Sequence, residues 1–358
     1  MTLDRSVRVK VIDMFSGIGG LTHGFVLEGF EVVAGIDIDG ACRYGYEKNN
    51  GCRFIQKEIA KVRPAELEKL YAGSTVRVLV GCAPCQPFST LNLGRSVYKS
   101  SDGKWESLDS FRRLIAKVRP EIVSMENVAE LANPKKFPVF GRFLKTLRRG
   151  GYTYQYRVVD ASRYGVPQHR RRLVLLASRL GSISLIGPTR LDCPVSVERA
   201  IGDLPPIRAG QASRSDSLHR ASNLSSLNMR RIKATPKNGG SATSWRRDLL
   251  PECYKKKKGQ SYRCTVYGRM RWNEPAPTIT TQFHTLGTGR FGHPTQNRAI
   301  SLREAARLQT FPDGYEFQDP GEKMKISKVA QYIGNAVPVE LARAIAASVR
   351  EHLSGVAT

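Results

Sequence analysis

VRVKVIDMFSGIGG, residues 7–20, changes character halfway along. Val7, Val9 and Val11 alternate with Arg8 and Lys10, and the chain then turns apolar, as a strand does on entering a buried sheet. SGIGG follows, and after it a short helical stretch, Leu21 to Glu28. Glycines in such a loop let the backbone approach a ligand, and the helix beyond offers free N–H groups. The next run, GFEVVAGIDID (29–39), reads as a second strand ending on Asp37, twenty residues after Gly17. An acid at that place can accept both hydroxyls of a ribose, as in dinucleotide folds. The glycine spacing is not G-x-G-x-x-G, so the expected ligand is a nucleoside carrying an appendage smaller than a pyrophosphate.

Further strand-like runs are VRVLVGC (76–82), EIVSMEN (121–127) and RLVLLAS (172–178), with helical patterns near 107–118 and 138–149. Alternating strands and helices predict a parallel α/β sheet covered on both faces. After about residue 185 the texture changes. From Pro205 to Pro275 periodicity is hard to find, and 16 Lys+Arg face 4 Asp+Glu. Helical patterns return at SLREAARLQTF (301–311) and VPVELARAIAASVREHL (337–353). The expected division is a catalytic and cofactor-binding domain, 1–185, completed by 325–358, and a smaller irregular domain, 186–324.

The whole chain has 358 residues with 57 Lys+Arg against 31 Asp+Glu, a net charge of +26. Such an excess repels itself without a polyanion, which points to nucleic acid as partner. Seven cysteines are an odd number spread thinly, unlike a secreted disulfide framework. MTLDRSVRVK has no apolar signal core, and no run approaches the ~20 apolar residues of a membrane span. An intracellular, soluble protein without a membrane partner is expected.

GCAPCQPFST (81–90) follows the run VRVLVGC, at a strand's carboxyl end, where such sheets place their sites. A zinc site would need two more ligands, and Cys42, Cys52, Cys193, Cys253 and Cys264 form no second close pair, so no metal is expected. A redox pair suits CAPC locally but leaves the glycine loop, Asp37 and the basic region without a role. The third reading makes Cys85 a nucleophile and Cys82 a small apolar residue on the strand. A free thiol titrates near ~8.5, so a positive neighbour would help it. In QHRRRL (168–173) Gln168, Arg170 and Arg172 alternate and can share a face, unless they form a phosphate-binding or merely exposed edge. Glu126, in MENV (125–128), ends another strand and offers an acid, a base-edge acceptor or an ordinary strand-end carboxylate.

With these motifs in order, the chain resembles the DNA (cytosine-5)-methyltransferases over nearly its whole length. DMFSGIGG (13–20) looks like the family's S-adenosylmethionine loop, and GCAPCQPFS its Pro-Cys-Gln nucleophile loop. ENV (126–128) and Gln168-x-Arg170-x-Arg172 match the motifs that hold the target cytosine. Arg271 with PAPTIT (275–280), SLREAARLQTFPDGYEF (301–317) and IGNAVP (333–338) complete the pattern.

The resemblance implies a Rossmann-like S-adenosylmethionine-dependent methyltransferase sheet with an irregular target-recognition domain. Cys85 would be the nucleophile, Glu126 would engage ring nitrogen 3, Arg172 would contact the flipped base, and Arg170 would buttress the loop. S-adenosylmethionine would be held by Phe15, Ser16, Gly17, Gly19, Gly20, Asp37, Ile38, Glu58, Pro84, Asn335 and Ala336. Asp37 stands where the family commonly has Glu, and Glu58 where it usually has Asp, so an altered pocket geometry is expected. DNA contacts would come from Gln86, Ser89, Gln168 and Arg271. In the basic region, Lys255, Lys256, Lys257 and Lys258 suit phosphates, whereas Arg246, Arg247, Arg263 and Arg269 suit base edges. Implied partners are double-stranded DNA and a separately acting restriction endonuclease, for a monomer that is cytoplasmic and nucleoid-associated through DNA. An RNA-directed relative is the alternative, although that branch's usual Cys-Phe-Thr signature is absent; a catalytically silent DNA-binding relative is another.

Overall fold

The computed structural model describes residues 8–84, 105–189, 193–256 and 264–356. Among these the strands are β1 (Val9–Met14), β2 (Glu31–Asp37), β3 (Arg53–Gln56), β4 (Val76–Gly81), β5 (Ile122–Val128), β6 (Thr153–Asp160) and β7 (Arg171–Ser178). The helices of the first half are α1 (Gly20–Leu27), α2 (Arg43–Asn50), α3 (Pro64–Leu70), α4 (Glu106–Val118) and α5 (Pro138–Arg149). Those of the second half are α6 (Val197–Ile201), α7 (Ser226–Ala234), α8 (Glu252–Lys255), α9 (Leu302–Leu308), α10 (Ile326–Asn335) and α11 (Val339–Val356).

One sheet runs in the order β3-β2-β1-β4-β5-β7-β6. The first five strands are parallel, but β7 is antiparallel to both β5 and β6. The expectation of a wholly parallel sheet is corrected there. A parallel neighbour needs a crossover of a dozen residues or more, usually a helix, and 161–170 are too few. Sequence reading also missed β3 and β6. β3 is four residues long, and β6 is an edge strand with no buried position to set up an alternation.

On one face of the sheet Ile12, Met14, Leu79, Val123, Met125, Leu173 and Leu175 share a core with Leu67, Phe111, Phe140 and Phe143 from α3, α4 and α5. On the other face Asp13 accepts a hydrogen bond from Thr22 of α1 (2.7 Å), and α11 packs along α1. Gly24 permits that approach, because a Cβ there would lie 2.4 Å from the Ala342 Cβ and 2.7 Å from backbone. Glu28 at the end of α1 then pairs with Arg343 (2.9 Å) and Arg350 (2.5 Å) of α11.

Met1–Tyr164, Arg171–Thr189 and Val337–Thr358 form one compact unit, and Gly165–Arg170 with Arg190–Ala336 another. In this division the return to the sheet begins at Val337. Among its described residues the second unit has isolated bridges but no strand, so its carbonyls must find donors elsewhere. Buried arginines supply them. Arg269, 1% exposed, donates to the carbonyls of Thr235, Ile232, His293 and Gln296 and to Asn297 Oδ1. Arg298 binds Glu304 through two bonds of 2.7 and 2.6 Å, both side chains being buried, and donates to the Ala299 carbonyl. Burial opposes ionisation of Glu304, but the Arg298 bonds and charge hold its carboxyl down at about 2. Arg231 lies over the rings of Trp245 (5.6 Å) and Tyr267 (5.1 Å) beside a small apolar cluster that includes Leu249 and Tyr254.

Candidate active site

The glycine loop connects β1 to α1, and its backbone is unusual. Phe15 holds φ +61°, beside Gly17 at +49° and Gly19 at +95°. A non-glycine residue there is strained by roughly 1–3 kcal/mol, a cost that clusters at ligand sites. Asp37 secures the loop from the end of β2. Its Oδ2 accepts from the Gly17 N–H and its Oδ1 from the Asp39 N–H, both at 2.9 Å. Burial pushes the Asp37 carboxyl above its usual range, and those backbone bonds oppose the rise. Each oxygen has two lone pairs, so both can still accept a hydroxyl.

Around this carboxylate the surfaces suit a nucleoside. A Cβ placed on Gly17 would meet nothing within 4 Å, and Ile38 is 65% exposed. Phe15 is half-buried, edge-on to Phe111 at 6.2 Å. The Ser16 hydroxyl is buried without a hydrogen-bond partner among the described residues. Gly20, also buried, opens α1. Glu58 follows β3, next to the point where the Lys57 N–H bonds the Asp37 carbonyl (2.8 Å). Its carboxylate sits 2.8 Å from Lys61 Nζ, so the acceptor is already engaged by a cation. Behind the loop Asp13 is buried, and burial with the neighbouring Asp37 charge pushes its carboxyl up to about 7 against the Thr22 bond.

A second group of side chains lies across β4, β5 and β7. The register pairs Gly81 with Met125 and Glu126 with Val174, so Cys82 faces Glu126 from one side and Arg172 lies diagonal to it on the other. Glu126 is 2% exposed. The Cys82 thiol donates to Glu126 Oε2 at 2.9 Å. Arg172 Nε is 3.0 Å from Oε1 but is not aligned for a hydrogen bond, and that oxygen has no other partner among the described residues. Asn127 donates to the Ala83 carbonyl at 2.9 Å, holding the chain that leads to the exposed Pro84. Cys82 is therefore not the inert apolar residue expected. Neither it nor Asn127 could be assigned from sequence, because both roles come from strand register.

The remaining predicted residues separate. Arg170 is buried in the second unit and donates to the carbonyls of Ile279 (2.9 Å), Gly334 (3.2 Å) and Ala336 (3.3 Å). Asn335 ends α10, exposed, in the same unit. Gln168, expected to contact DNA, is fully buried. Its amide bonds the Leu308 carbonyl and Gln309, and its Oε1 accepts the Ile279 N–H. Arg269, expected to read bases, has its donors committed inside the fold. Both expectations are corrected by burial. Arg246, Arg247, Lys256 and Arg271 are exposed, Arg271 pairing with Glu274 (2.9 Å) and Lys255 with Glu252. Cys85, Gln86, Ser89, Lys257, Lys258 and Arg263 lie outside the described residues.

The family model for the C-5 cytosine-specific DNA methylases matches residues 9–351. The chain belongs to this family. It is 48% identical over 347 residues to the Type II methylase M.HgiDII of Herpetosiphon aurantiacus, covering 96% of each chain. It is 30% identical to the Type II methyltransferase M1.HphI of Haemophilus parahaemolyticus, over 94% of this chain and 86% of that one. The structure of the Entamoeba histolytica methyltransferase EhMeth superposes with a TM-score of 0.67 at 15% identity, covering 97% and 99% of the two chains, a likeness of fold. This C-5 cytosine methylase is thus a DNA (cytosine-5)-methyltransferase on the mixed seven-stranded sheet of the S-adenosylmethionine-dependent enzymes. Among its described residues no helix is long and apolar enough to cross a membrane, and no cluster of His, Cys, Asp or Glu could hold a metal ion.

Proposed function

We propose that the enzyme methylates carbon 5 of a cytosine flipped out of a specific duplex sequence, through a covalent adduct on Cys85. The observation that carries this reading is the buried Glu126, faced by Arg172 and engaged by Cys82, which stands three positions before Cys85 in the sequence. Cytosine carbon 5 is a poor nucleophile. Attack by the Cys85 thiolate at carbon 6 pushes electrons to carbon 5, while a proton shared with Glu126 at nitrogen 3 drains charge from the ring. Arg172 steadies that carboxyl. S-adenosylmethionine, when bound, supplies the methyl group as an electrophilic sulfonium. Loss of the carbon 5 proton then expels Cys85. Phe15 and Ile38 would cover the adenine, Asp37 would accept the ribose hydroxyls, and Ser16, Gly17, Gly19 and Gly20 would leave room for the backbone to close on the rest.

The thiol cannot reach carbon 6 within a stacked duplex, so the base must leave the stack, at a few kcal/mol. Phosphate contacts from the basic second unit offset part of that cost, and its exposed arginines read the site. The relatives' names support a Type II modification enzyme, which would act as a monomer beside a separate endonuclease. Bisulfite sequencing of DNA from cells expressing the protein should reveal one methylated motif. Cys85→Ser should abolish methylation while cofactor binding survives. DNA carrying 5-fluorocytosine should trap a denaturant-resistant adduct, because fluorine blocks the final elimination. Methylation without such an adduct would refute the covalent route; methylation confined to RNA would refute the substrate.

A further inference from the structure

We infer that Cys82 is a positioning residue for catalysis, its thiol orienting the Glu126 carboxyl toward the target base. The inference rests on Glu126 acting at nitrogen 3. Cys82 continues the alternation of β4 by one step beyond the paired Gly81, which places its side chain opposite Glu126 on the same face of the sheet. Its thiol donates to Oε2 at 2.9 Å. Glu126 is 2% exposed, so no bulk water competes for that oxygen. The other oxygen, Oε1, is buried and lacks a hydrogen bond among the described residues, with Arg172 Nε 3.0 Å away and out of line. One carboxylate oxygen is thus tied to the protein and the other is kept for a ligand. Without the tie, the carboxyl could turn about its last bond toward Arg172 and take a two-pronged contact, the geometry that arginine favours. Both oxygens would then be spent on the protein. The thiol blocks that rotation, and Arg172 is left to stabilise charge without claiming the oxygen that meets the base. Positioning errors of this kind slow the chemical step rather than substrate capture.

Single-turnover and steady-state methylation by Cys82→Ala, Cys82→Ser and Glu126→Gln test this, with melting temperature and S-adenosylmethionine binding measured alongside. Cys82→Ala should lower kcat about tenfold or more, since it removes a hydrogen bond to a charged group. KM for DNA and for S-adenosylmethionine should stay within about twofold. Cys82→Ser restores a donor and should recover kcat to within about threefold of wild type. Cys82→Val and Cys82→Thr, matched in shape and differing in the hydroxyl, repeat the comparison should alanine destabilise the fold. Wild-type kcat in Cys82→Ala beside a slow Glu126→Gln overturns the inference and spares the role of Glu126. Serine as slow as alanine, or threonine as slow as valine, overturns it too, since a donor is what the geometry requires. Full activity in Glu126→Gln overturns the role of Glu126 and the inference with it.

Discussion

Replacing Asp13 by Asn removes a carboxyl that the fold holds far from its solution behaviour. Asp13 is 1% exposed behind the glycine loop, and burial pushes its pKa from 3.8 up to about 7, with the Asp37 charge adding to the rise. Below the unfolded value both states carry the proton, and the group leaves stability unchanged. Between 3.8 and about 7 the native state keeps a proton that the unfolded state has lost, so stability falls as pH rises. Above about 7 both states have lost it and the full penalty is present. At about 1.4 kcal/mol per unit, a shift of roughly three units is worth at most about 4 kcal/mol. Roughly 2 kcal/mol of that should develop between about pH 5.5 and about pH 8. Urea unfolding of wild type and Asp13→Asn across this range isolates the effect, because the other titrating groups are common to both proteins. The variant starts from an offset of its own, since its amide must also be satisfied beside Thr22. The test is the slope: stability of the variant relative to wild type should rise by about 2 kcal/mol and level off above neutral pH. Parallel curves would show that Asp13 is not held protonated by burial.

Gly24→Ala should loosen α11 from α1 and cost about 1–3 kcal/mol or more of stability, because the clash includes the backbone around Ala342. A variant as stable as wild type in urea would contradict that close approach. Glu304→Gln should cost roughly 3–5 kcal/mol by stranding the buried Arg298 guanidinium, with the second unit losing protease resistance first. An unchanged cleavage pattern would count against the ion pair as its anchor. Arg269→Ala should destabilise the protein without altering the methylated motif, whereas Arg246→Ala should leave melting almost unchanged and relax one position of the site by roughly 1–3 kcal/mol. Bisulfite sequencing and melting curves together would expose the reverse pattern.

Local sequence carried the reading wherever one short segment does the whole job. VRVKVIDMF, the glycine loop and Asp37 sit within a single strand–loop–helix–strand unit, so spacing along the chain equals placement in space. The same holds for ENV (126–128), whose residues close a single strand. Tertiary structure decided what depends on partners distant in sequence. Reversal of β7 sets Arg172 diagonal to Glu126, and the β4–β5 register converts Cys82 from an apolar filler into the carboxyl's hydrogen-bond donor. The charge of the basic region was legible, but its division was not. An arginine that wraps four carbonyls and one that faces solvent are the same letter, and burial separates Arg269 from Arg246. Where a segment lacks regular secondary structure, its unpaired carbonyls recruit side-chain donors, and which arginines they recruit follows from the folded path of the chain.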